Sequence, residues 1–317
     1  MRHQQCWRML NHPLVRAFVQ ASRSRRSCPW ETNCRGHATL PGSPYRPVDI
    51  LEDGSVNRFR DMCFEPQRPA LLPRGHFRDL PAFQRWFVRD SPSATRLNYE
   101  YLQQSGETLV PLELTSADDG SFQRFNAPLS LFLQWTQAAE AQSSRLYLAQ
   151  CQLSDLPPSL RDGCPTPDLV AQAGRGDIYD ANIWMGMPPT YTPLHRDPNP
   201  NLFVQLAGEK VVRLLSPMAG MRVFSRVRQE LGQDVGHAAA VFRGDEMMHG
   251  PERVLLEKVV WGDNDGNHVC AEDSKQDCES YEARLGAGDG LFIPNGWWHS
   301  IKGIGDGVTA SVNWWFR

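Results

Sequence analysis

The second half of this chain consists largely of short apolar segments separated by turn residues. The segments are rich in β-branched and aromatic residues, and Gly, Pro, Asn or Asp stands between them. In chain order they read RLYLAQCQL, YDANIWMGM, LFVQLAG, KVVRLLSP, RVLLEKVVW, YEARLG, GLFIP and GVTASVNWWF. Each is typical of a β-strand. Many short strands with turn signals favour a closed barrel or two facing sheets over a parallel α/β sheet, so we predict a mainly β protein with flanking helices.

The composition is that of a soluble globular protein and argues against two classes of function. The 317 residues are 41% hydrophobic and 22% charged, with a net charge of -3. This length allows one large domain or two ordinary ones. The slight negative charge argues against binding of nucleic acid through a broad basic face, and the sequence shows no DNA-binding signature. No apolar run approaches the roughly 20 residues that span a membrane, so we predict no membrane span.

The N-terminal segment differs in composition from the rest of the chain. Its first forty residues contain one acid, Glu31, and seven arginines, Arg2, Arg8, Arg16, Arg23, Arg25, Arg26 and Arg35. An Arg-rich, Ser-containing segment with few acids is typical of a mitochondrial transit peptide. A disordered basic tail, or a start codon placed too far upstream, would explain the same composition. We expect residues 1–45 to be a targeting or disordered segment, with a mitochondrial location predicted and a cytoplasmic or nuclear one as the alternative.

Residues 46–317 are predicted to form the globular part. Residues 46–175 combine proline breaks, short apolar segments and a helix in SLFLQWTQAAEAQ, and residues 176–317 contain most of the strands. A second helix is predicted between Met218 and Leu231. Residues 262–280 carry six acids and one lysine. A solvated loop is the expected structure there, and a mobile lid over a site is the alternative.

Three side chains in the strand-rich half have the composition of a metal site. His195 and Asp197 lie two residues apart in YTPLHRDPNP, so both leave the same face of an extended segment. His299 follows the GLFIP segment in PNGWWHSI. Two histidines and one carboxylate form the facial triad of non-haem Fe(II) oxygenases, which leaves positions on the metal open. The tripeptide H-x-D arises often by chance, so the prediction depends on the third ligand.

A keto-acid co-substrate would explain three further side chains. Iron that activates oxygen needs two electrons beyond those that the substrate supplies, and a keto acid provides them by losing carbon dioxide. The far carboxylate of such an acid needs a cation, for which Lys210 is suited. Thr192 and Tyr147 can add hydroxyl hydrogen bonds. Taken singly, these residues would more often be a surface lysine, a turn threonine and a packed tyrosine.

These motifs resemble the Jumonji-C (cupin-like) family of Fe(II)- and 2-oxoglutarate-dependent oxygenases. The resemblance rests on TPLHRDPNPNLFVQLAGEK, GAGDGLFIPNGWWHSI and VTASVNWWF, and it is most secure over residues 179–317. Within the family, the motifs look most like the subgroup that contains the asparaginyl hydroxylase of hypoxia-inducible factor. The resemblance implies a double-stranded β-helix, which is the jelly-roll or cupin core, with iron at its open mouth.

The resemblance also implies roles for individual residues. It implies Fe(II) ligation, and hence the catalytic centre, at His195, Asp197 and His299. It implies a 2-oxoglutarate site formed by Lys210, Thr192, Tyr147, Asn201 and Asn313. Oxygen and 2-oxoglutarate are then the small-molecule partners, and a polypeptide is a candidate for the unknown prime substrate.

The leading functional prediction is a dioxygenase that hydroxylates a protein side chain or another C–H substrate and forms succinate and carbon dioxide. Demethylation of N-methyl-lysine is the first alternative, because hydroxylation of an N-methyl carbon releases formaldehyde. Two observations favour the hydroxylase: no chromatin-reading segment is found, and Asp197 stands where many family demethylases carry glutamate. A non-catalytic cupin-like binding module is the second alternative. The chain ends at Arg317 without the C-terminal helices through which several relatives dimerise, so a monomer or weak oligomer is expected.

Overall fold

Six stretches of the chain are described by the computed structural model, namely residues 45–89, 95–116, 121–138, 143–234, 247–262 and 279–317. The predicted N-terminal segment, apart from Tyr45, lies outside these ranges, and so does residue range 263–278 of the predicted polar loop. Within the six stretches, no helix is both long enough and apolar enough to cross a membrane.

The described residues form fifteen strands and eight α-helices. The strands are β1 (Arg46–Pro47), β2 (Ala70–Leu71), β3 (Phe87–Arg89), β4 (Thr95–Leu97), β5 (Leu109–Thr115), β6 (Phe122–Pro128), β7 (Arg145–Gln152), β8 (Ile178–Gly186), β9 (Thr190–Arg196), β10 (Asn201–Ala207), β11 (Glu209–Leu215), β12 (Ser280–Leu285), β13 (Gly290–Ile293), β14 (Trp298–Ile304) and β15 (Thr309–Phe316). The helices are α1 (Val56–Phe59), α2 (Ala82–Arg85), α3 (Tyr99–Gln103), α4 (Leu129–Gln137), α5 (Pro158–Arg161), α6 (Asp168–Gln172), α7 (Pro217–Glu230) and α8 (Gly250–Trp261).

Two sheets contain all of these strands except the β3–β4 pair. The small sheet has the order β1-β12-β11-β14-β9, and the large sheet has the order β2-β13-β10-β15-β8-β7-β5-β6. The last eight strands, β8 to β15, are divided four and four between the sheets and pair antiparallel within each. This is the predicted double-stranded β-helix, and the fold prediction is confirmed. Strands β7, β5 and β6 extend the large sheet beyond that core.

One side of the space between the sheets is filled with hydrocarbon, and we call it the filled side. Inward-facing residues of β11 and β12 in the small sheet meet residues of β10 and β13 in the large sheet, and the cluster contains Phe203, Val212, Leu214, Ala283, Leu285, Leu291 and Ile293. These side chains are almost entirely buried. Each buried aliphatic side chain contributes about 1.5–3 kcal/mol through removal of apolar surface from water. The filled side therefore joins the two sheets.

The outer faces of the two sheets are covered by different parts of the chain. The outward residues of β8, β10 and β15, such as Ile183, Val204 and Trp314, belong to one apolar cluster with residues of helices α1, α4 and α6, among them Phe59, Leu133 and Leu169. Helices α7 and α8 cover the small sheet with a second cluster that includes Val223, Phe224, Leu256 and Val260. The buried residues of α7 recur three and four positions apart, as the predicted helix between Met218 and Leu231 requires.

One predicted strand is wrong. The segment RVLLEKVVW, residues 253–261, belongs to helix α8. Its β-branched residues favour a strand, but its buried residues, Leu256 and Val260, are four positions apart, which is the helical period. Pro251 occupies the first turn, where its missing N–H leaves no hydrogen bond unmade, and Glu252 is suited to the positive end of the helix dipole.

The start of the described chain is tied to helix α8. Tyr45 is buried, and its hydroxyl donates a hydrogen bond to the Val260 carbonyl at 3.1 Å. The Arg213 guanidinium lies 4.4 Å from the ring centroids of both Tyr45 and Trp261 and pairs with Glu282 at 2.9 Å. Tyr45 therefore packs with the globular part, although the sequence prediction assigned it to the N-terminal segment.

Candidate active site

A cavity of about 350 Å³ opens between the two sheets, and no residue of β12 or β13 lines it. We call this the hollow side of the barrel. All eight predicted site residues line this cavity, namely Tyr147, Thr192, His195, Asp197, Asn201, Lys210, His299 and Asn313. The predicted grouping of these residues therefore occurs in the structure, and the contacts of each one decide what it can do.

The three predicted iron ligands converge in this cavity. His195 on β9 lies directly opposite His299 on β14, with ring centroids 4.2 Å apart. Asp197 follows β9, and its Oδ1 and Oδ2 lie 3.9 Å from His195 Nε2 and 3.6 Å from His299 Nε2. One donor atom from each residue lies within 4.8 Å of the others. A single metal ion can bridge donor atoms at this spacing.

Both imidazoles are oriented by main-chain carbonyls. His195 Nδ1 lies 2.8 Å from the Pro193 oxygen, and His299 Nδ1 lies 3.2 Å from the Trp297 oxygen. A carbonyl oxygen only accepts, so each Nδ1 donates its proton there, and Nε2 is the ring nitrogen of each histidine that is left to bind a metal. Burial, followed by the neighbouring His195, lowers the pKa of His299 to about 4. The neutral imidazole that results at neutral pH is the form that binds a metal.

Asp197 is held as a buried carboxylate. Asn201 Nδ2 and Trp315 Nε1 each donate a hydrogen bond to its Oδ2 at 2.9 Å. Burial by itself would raise the pKa of Asp197, but the two imidazoles and the two hydrogen bonds together lower it. The group thus offers two imidazole nitrogens and one carboxylate oxygen. This donor set suits Fe(II) and leaves other coordination positions open.

A β-bulge lets His195 and Thr192 face the cavity together. Residues three apart on a regular strand point to opposite faces. Here two residues of β9, Pro193 and Leu194, oppose the single residue Ser300 of β14. The extra residue turns Thr192 inward. The Ser300 hydroxyl donates to the Thr192 carbonyl at 2.8 Å and ties the two strands together at the bulge.

Lys210, on β11, is a buried cation with no carboxylate partner among the described residues. Its Nζ donates hydrogen bonds to the Tyr147 hydroxyl at 3.2 Å and to the Ser311 hydroxyl at 2.7 Å. Burial lowers the pKa of Lys210 to about 7. A desolvated ammonium surrounded by neutral groups is costly until an anion approaches it. This end of the cavity is therefore suited to a carboxylate ligand.

Asn201 and Asn313 contact the predicted metal end of the cavity. Asn201 donates to Asp197, and Asn313 Nδ2 donates to Asn201 Oδ1 at 3.3 Å. Trp184 Nε1 in turn donates to Asn313 Oδ1 at 2.7 Å. The 2-oxoglutarate contacts predicted for both asparagines remain predictions.

Three residues with evident roles in the site were missed by sequence reasoning. Ser311 and Trp315 lie on β15 two residues before and two residues after Asn313, and alternation along a strand places all three on one face. That period of two was a usable signal. Trp184 comes from β8, and nothing in its local sequence marks it as a hydrogen-bond donor to the site.

Glu113 and Arg124 also line the cavity, and they too were missed. They form an ion pair between β5 and β6, two strands that sequence reasoning did not identify. Strands outside the barrel core therefore supply part of the cavity wall.

Comparisons with known proteins agree with this fold. Residues 56–317 match the model of the family described as cupin-like domain. Jumonji C domain-containing protein 5 of Drosophila melanogaster is 27% identical over 275 residues, which cover 84% of this chain and 59% of that protein. Lysine-specific demethylase 8 of Xenopus tropicalis is 27% identical over 274 residues, covering 85% and 52%. Lysine-specific demethylase 8 of Danio rerio is 26% identical over 291 residues, covering 90% and 61%.

This chain spans between 52% and 61% of the length of these relatives. The closer resemblance to the asparaginyl hydroxylase of hypoxia-inducible factor is not confirmed by them. The Jumonji C family uses Fe(II) and 2-oxoglutarate, so the predicted family and its cofactors are confirmed. With the matching family model covering residues 56–317, the chain belongs to the cupin-like domain family and, within it, is related to the Jumonji C oxygenases.

Proposed function

We propose that this chain is an Fe(II)- and 2-oxoglutarate-dependent oxygenase. Lys210 is the observation that carries the proposal. A buried ammonium without a carboxylate partner among the described residues shares one cavity with a His-Asp-His group. A purely structural metal site has no need of such a charge, whereas an anionic co-substrate would neutralise it. Membership of the family supports the same conclusion.

The residues present fit both groups. His195, Asp197 and His299 would hold the iron through two imidazole nitrogens and one carboxylate oxygen. When bound, the iron with 2-oxoglutarate and oxygen supplies the oxidant that converts a substrate C–H bond to C–OH, while the keto acid leaves as succinate and carbon dioxide.

The other side chains would bind and orient the co-substrate. Lys210 would pair with the carboxylate that lies away from the metal, while Tyr147 and Ser311 hold its Nζ in place. The rings of Tyr147 and Phe203 lie 5.9 Å and 5.3 Å from Nζ and keep it out of water. In so dry a setting a charge-assisted bond is stronger than in water.

For the prime substrate, we propose a polypeptide side chain, with N-methyl-lysine as the first to be tested. Two of the relatives are named lysine-specific demethylase. Those names favour demethylation over the hydroxylation that the sequence motifs led us to prefer. Both reactions begin with the same hydroxylation of carbon, and they differ in whether the carbon is attached to nitrogen. The aspartate at position 197 still favours hydroxylation of an unmethylated side chain.

Turnover assays on purified protein test the proposal. Protein loaded with Fe(II) is expected to release succinate from 2-oxoglutarate, and Lys210→Met, which keeps the side-chain length but removes the charge, should release far less. With N-methyl-lysine peptides, formaldehyde and a loss of 14 Da indicate demethylation, while a gain of 16 Da indicates hydroxylation. An iron-loaded protein that releases no succinate with any peptide would contradict the proposal and favour a non-catalytic binding module.

For the N-terminal segment, we propose a mitochondrial address on its Arg-rich composition alone. Residues 1–45 fused to a fluorescent reporter are expected to direct it to mitochondria. The matched control replaces Arg23, Arg25 and Arg26 with glutamate and should leave the reporter in the cytosol. A diffuse reporter with the unaltered segment would contradict the address and leave the oxygenase proposal untouched.

A further inference from the structure

A line of three hydrogen bonds runs from Trp184 to the carboxylate of Asp197. Trp184 Nε1 donates to Asn313 Oδ1 at 2.7 Å, Asn313 Nδ2 to Asn201 Oδ1 at 3.3 Å, and Asn201 Nδ2 to Asp197 Oδ2 at 2.9 Å. Trp184 is on β8, Asn313 on β15 and Asn201 on β10, so three strands of the large sheet contribute. Asn201 and Asn313 are nearly fully buried.

The direction of this line is set at its far end. An asparagine amide has a donor and an acceptor of almost the same shape, so an isolated amide can turn over at little steric cost. An indole N–H can only donate. The indole N–H of Trp184 therefore requires the oxygen of Asn313 as its acceptor. The nitrogen of Asn313 then faces the oxygen of Asn201. The nitrogen of Asn201 is left to donate to Asp197.

The result at Asp197 is an asymmetric carboxylate. Oδ2 accepts from both Asn201 and Trp315 at 2.9 Å, whereas no hydrogen bond to Oδ1 is found among the described residues. Oδ1 lies 3.9 Å from His195 Nε2 and Oδ2 lies 3.6 Å from His299 Nε2, so both oxygens are near the imidazoles, but the two hydrogen bonds occupy both lone pairs of Oδ2. If the amide of Asn201 were reversed, two acceptor oxygens would face each other at Oδ2, and the carboxylate would turn away.

We propose that Trp184, Asn313 and Asn201 form a relay that fixes the orientation of Asp197, so that Oδ2 accepts the hydrogen bonds of the protein and Oδ1 keeps its lone pairs for the metal. In this relay Trp184 is a positioning residue of the metal centre, although it touches none of the three ligands. A carboxylate held in this way binds through one oxygen and keeps further coordination positions free for the co-substrate and oxygen. The inference rests on the proposed function, and it adds which residue determines the geometry.

The test is a double-mutant cycle on binding of Co²⁺, which can occupy an Fe(II) site without consuming oxygen. Trp184→Phe keeps an aromatic side chain and removes its N–H donor. It is expected to weaken Co²⁺ binding by about threefold to tenfold, since outer hydrogen-bond partners of metal ligands typically contribute at least this much. In an Asn201→Ala background the same substitution should have no further effect, because the relay is already cut.

A matched control is Trp135→Phe on α4. Its indole N–H is buried and has no hydrogen-bond partner among the described residues, so Co²⁺ affinity should not change. Thermal unfolding of each variant checks that it folds. The visible spectrum of bound Co²⁺ gives a second measurement, since its band positions and intensities report coordination number and should shift in Trp184→Phe but not in Trp135→Phe.

Two results would overturn the relay: an unchanged Co²⁺ affinity in Trp184→Phe, or an equal loss in the wild-type and Asn201→Ala backgrounds. The second is what a merely structural tryptophan would give. Failure of the proposed function would look different, because the wild-type protein itself would then bind no Co²⁺ or would not decarboxylate 2-oxoglutarate.

Discussion

The filled and hollow sides of the barrel are built from the same kind of strand, yet they differ in what their inward positions carry. On β11, Val212 and Leu214 join the apolar cluster, while Lys210 on the same inward face reaches the cavity. On β10, Phe203 belongs to the apolar cluster and also borders the cavity, whereas Asn201 is polar and donates a hydrogen bond to Asp197. Alternation along a strand thus decides that a residue faces inward, and its place in the sheet decides whether it stabilises the fold or binds a ligand.

The comparison also explains how the hollow side tolerates polar burial. Burying the uncompensated ammonium of Lys210 costs free energy, and the site hydrogen bonds only partly offset that cost. The apolar contacts of the filled side hold the sheets together independently. Substitutions on the two sides should therefore separate ligand binding from stability.

The largest expected effect is on the hollow side. His299→Ala removes one of three ligands and should abolish metal retention, since the two remaining donors cannot hold Fe(II) against water. Metal content after desalting, measured by atomic emission, reports the loss. The free energy of unfolding without metal should change little. Normal metal content in this variant would show that His299 is not a ligand.

Leu291→Ala on the filled side should lower stability and leave metal binding unchanged. Leu291 is fully buried, and its truncation should lower the free energy of unfolding by about 2–5 kcal/mol through lost burial and a residual cavity. Urea denaturation measures this change. The folded fraction should bind Co²⁺ with wild-type affinity. A loss of Co²⁺ affinity in the folded variant would mean that the two sides are not independent.

Lys210→Met should weaken 2-oxoglutarate binding while leaving metal binding intact. Loss of one charge-assisted hydrogen bond corresponds to about 1.5–3 kcal/mol, or roughly tenfold to a hundredfold in affinity. Isothermal titration of 2-oxoglutarate into Mn²⁺-loaded protein gives the value. Stability without ligands should change far less than in Leu291→Ala. If the affinity is unchanged, another cation binds the far carboxylate.

The smallest effect is the uptake of less than one proton when 2-oxoglutarate binds at pH 8. With a folded pKa of about 7, Lys210 is mostly neutral at pH 8 before binding, and the carboxylate should favour its charged form. Titrations in phosphate and Tris buffers, whose ionisation enthalpies differ, give the number of protons. Lys210→Met should take up none. Equal apparent enthalpies in both buffers for the unaltered protein would contradict the assignment.

The same pKa makes a prediction for stability without ligand. The folded pKa of Lys210 is about 7 and lies below the ordinary lysine value of 10.5 that applies in the unfolded chain. The folded state therefore binds fewer protons between these values. Burial of charged Lys210 therefore lowers the free energy of unfolding most below about pH 7. The free energy of unfolding should rise as the pH increases from about 7 to 10.5, where this penalty disappears.

Much of the site was predictable because its chemistry is concentrated in short motifs. His195, Asp197 and His299 are recognisable as a donor set, and Lys210 as the cation that a keto acid requires. The strands that carry them are bounded by Gly and Pro, so their alternation is readable. The chain-distant contributors were not predictable, because Trp184, Glu113 and Arg124 enter the cavity through strand pairing that local sequence does not specify.

The errors have the same origin. Residues 253–261 have strand-like composition, and only packing against α7 and β9 shows that burial follows the helical period. Tyr45 follows a basic segment, and only its contacts with Val260 and Arg213 place it with the globular part. A truncated protein that starts at Pro47 would therefore lose packing that one starting before Tyr45 keeps.

Because of the bulge at Pro193 and Leu194, the directions of the site side chains on β9 depend on the number of residues in this strand. Thr192 and His195 lie on the same face because β9 has one more residue between them than β14 has in the paired stretch. Point substitutions in β9 leave each side chain on its present face, whereas deletion of a single residue between Thr192 and His195 would place the two on opposite faces. The deletion would remove almost no mass, yet it would direct either the histidine or the threonine out of the cavity. The length of β9 is thus more strictly constrained than the identity of its residues. Insertions and deletions should be tolerated better in the neighbouring turns than within this strand.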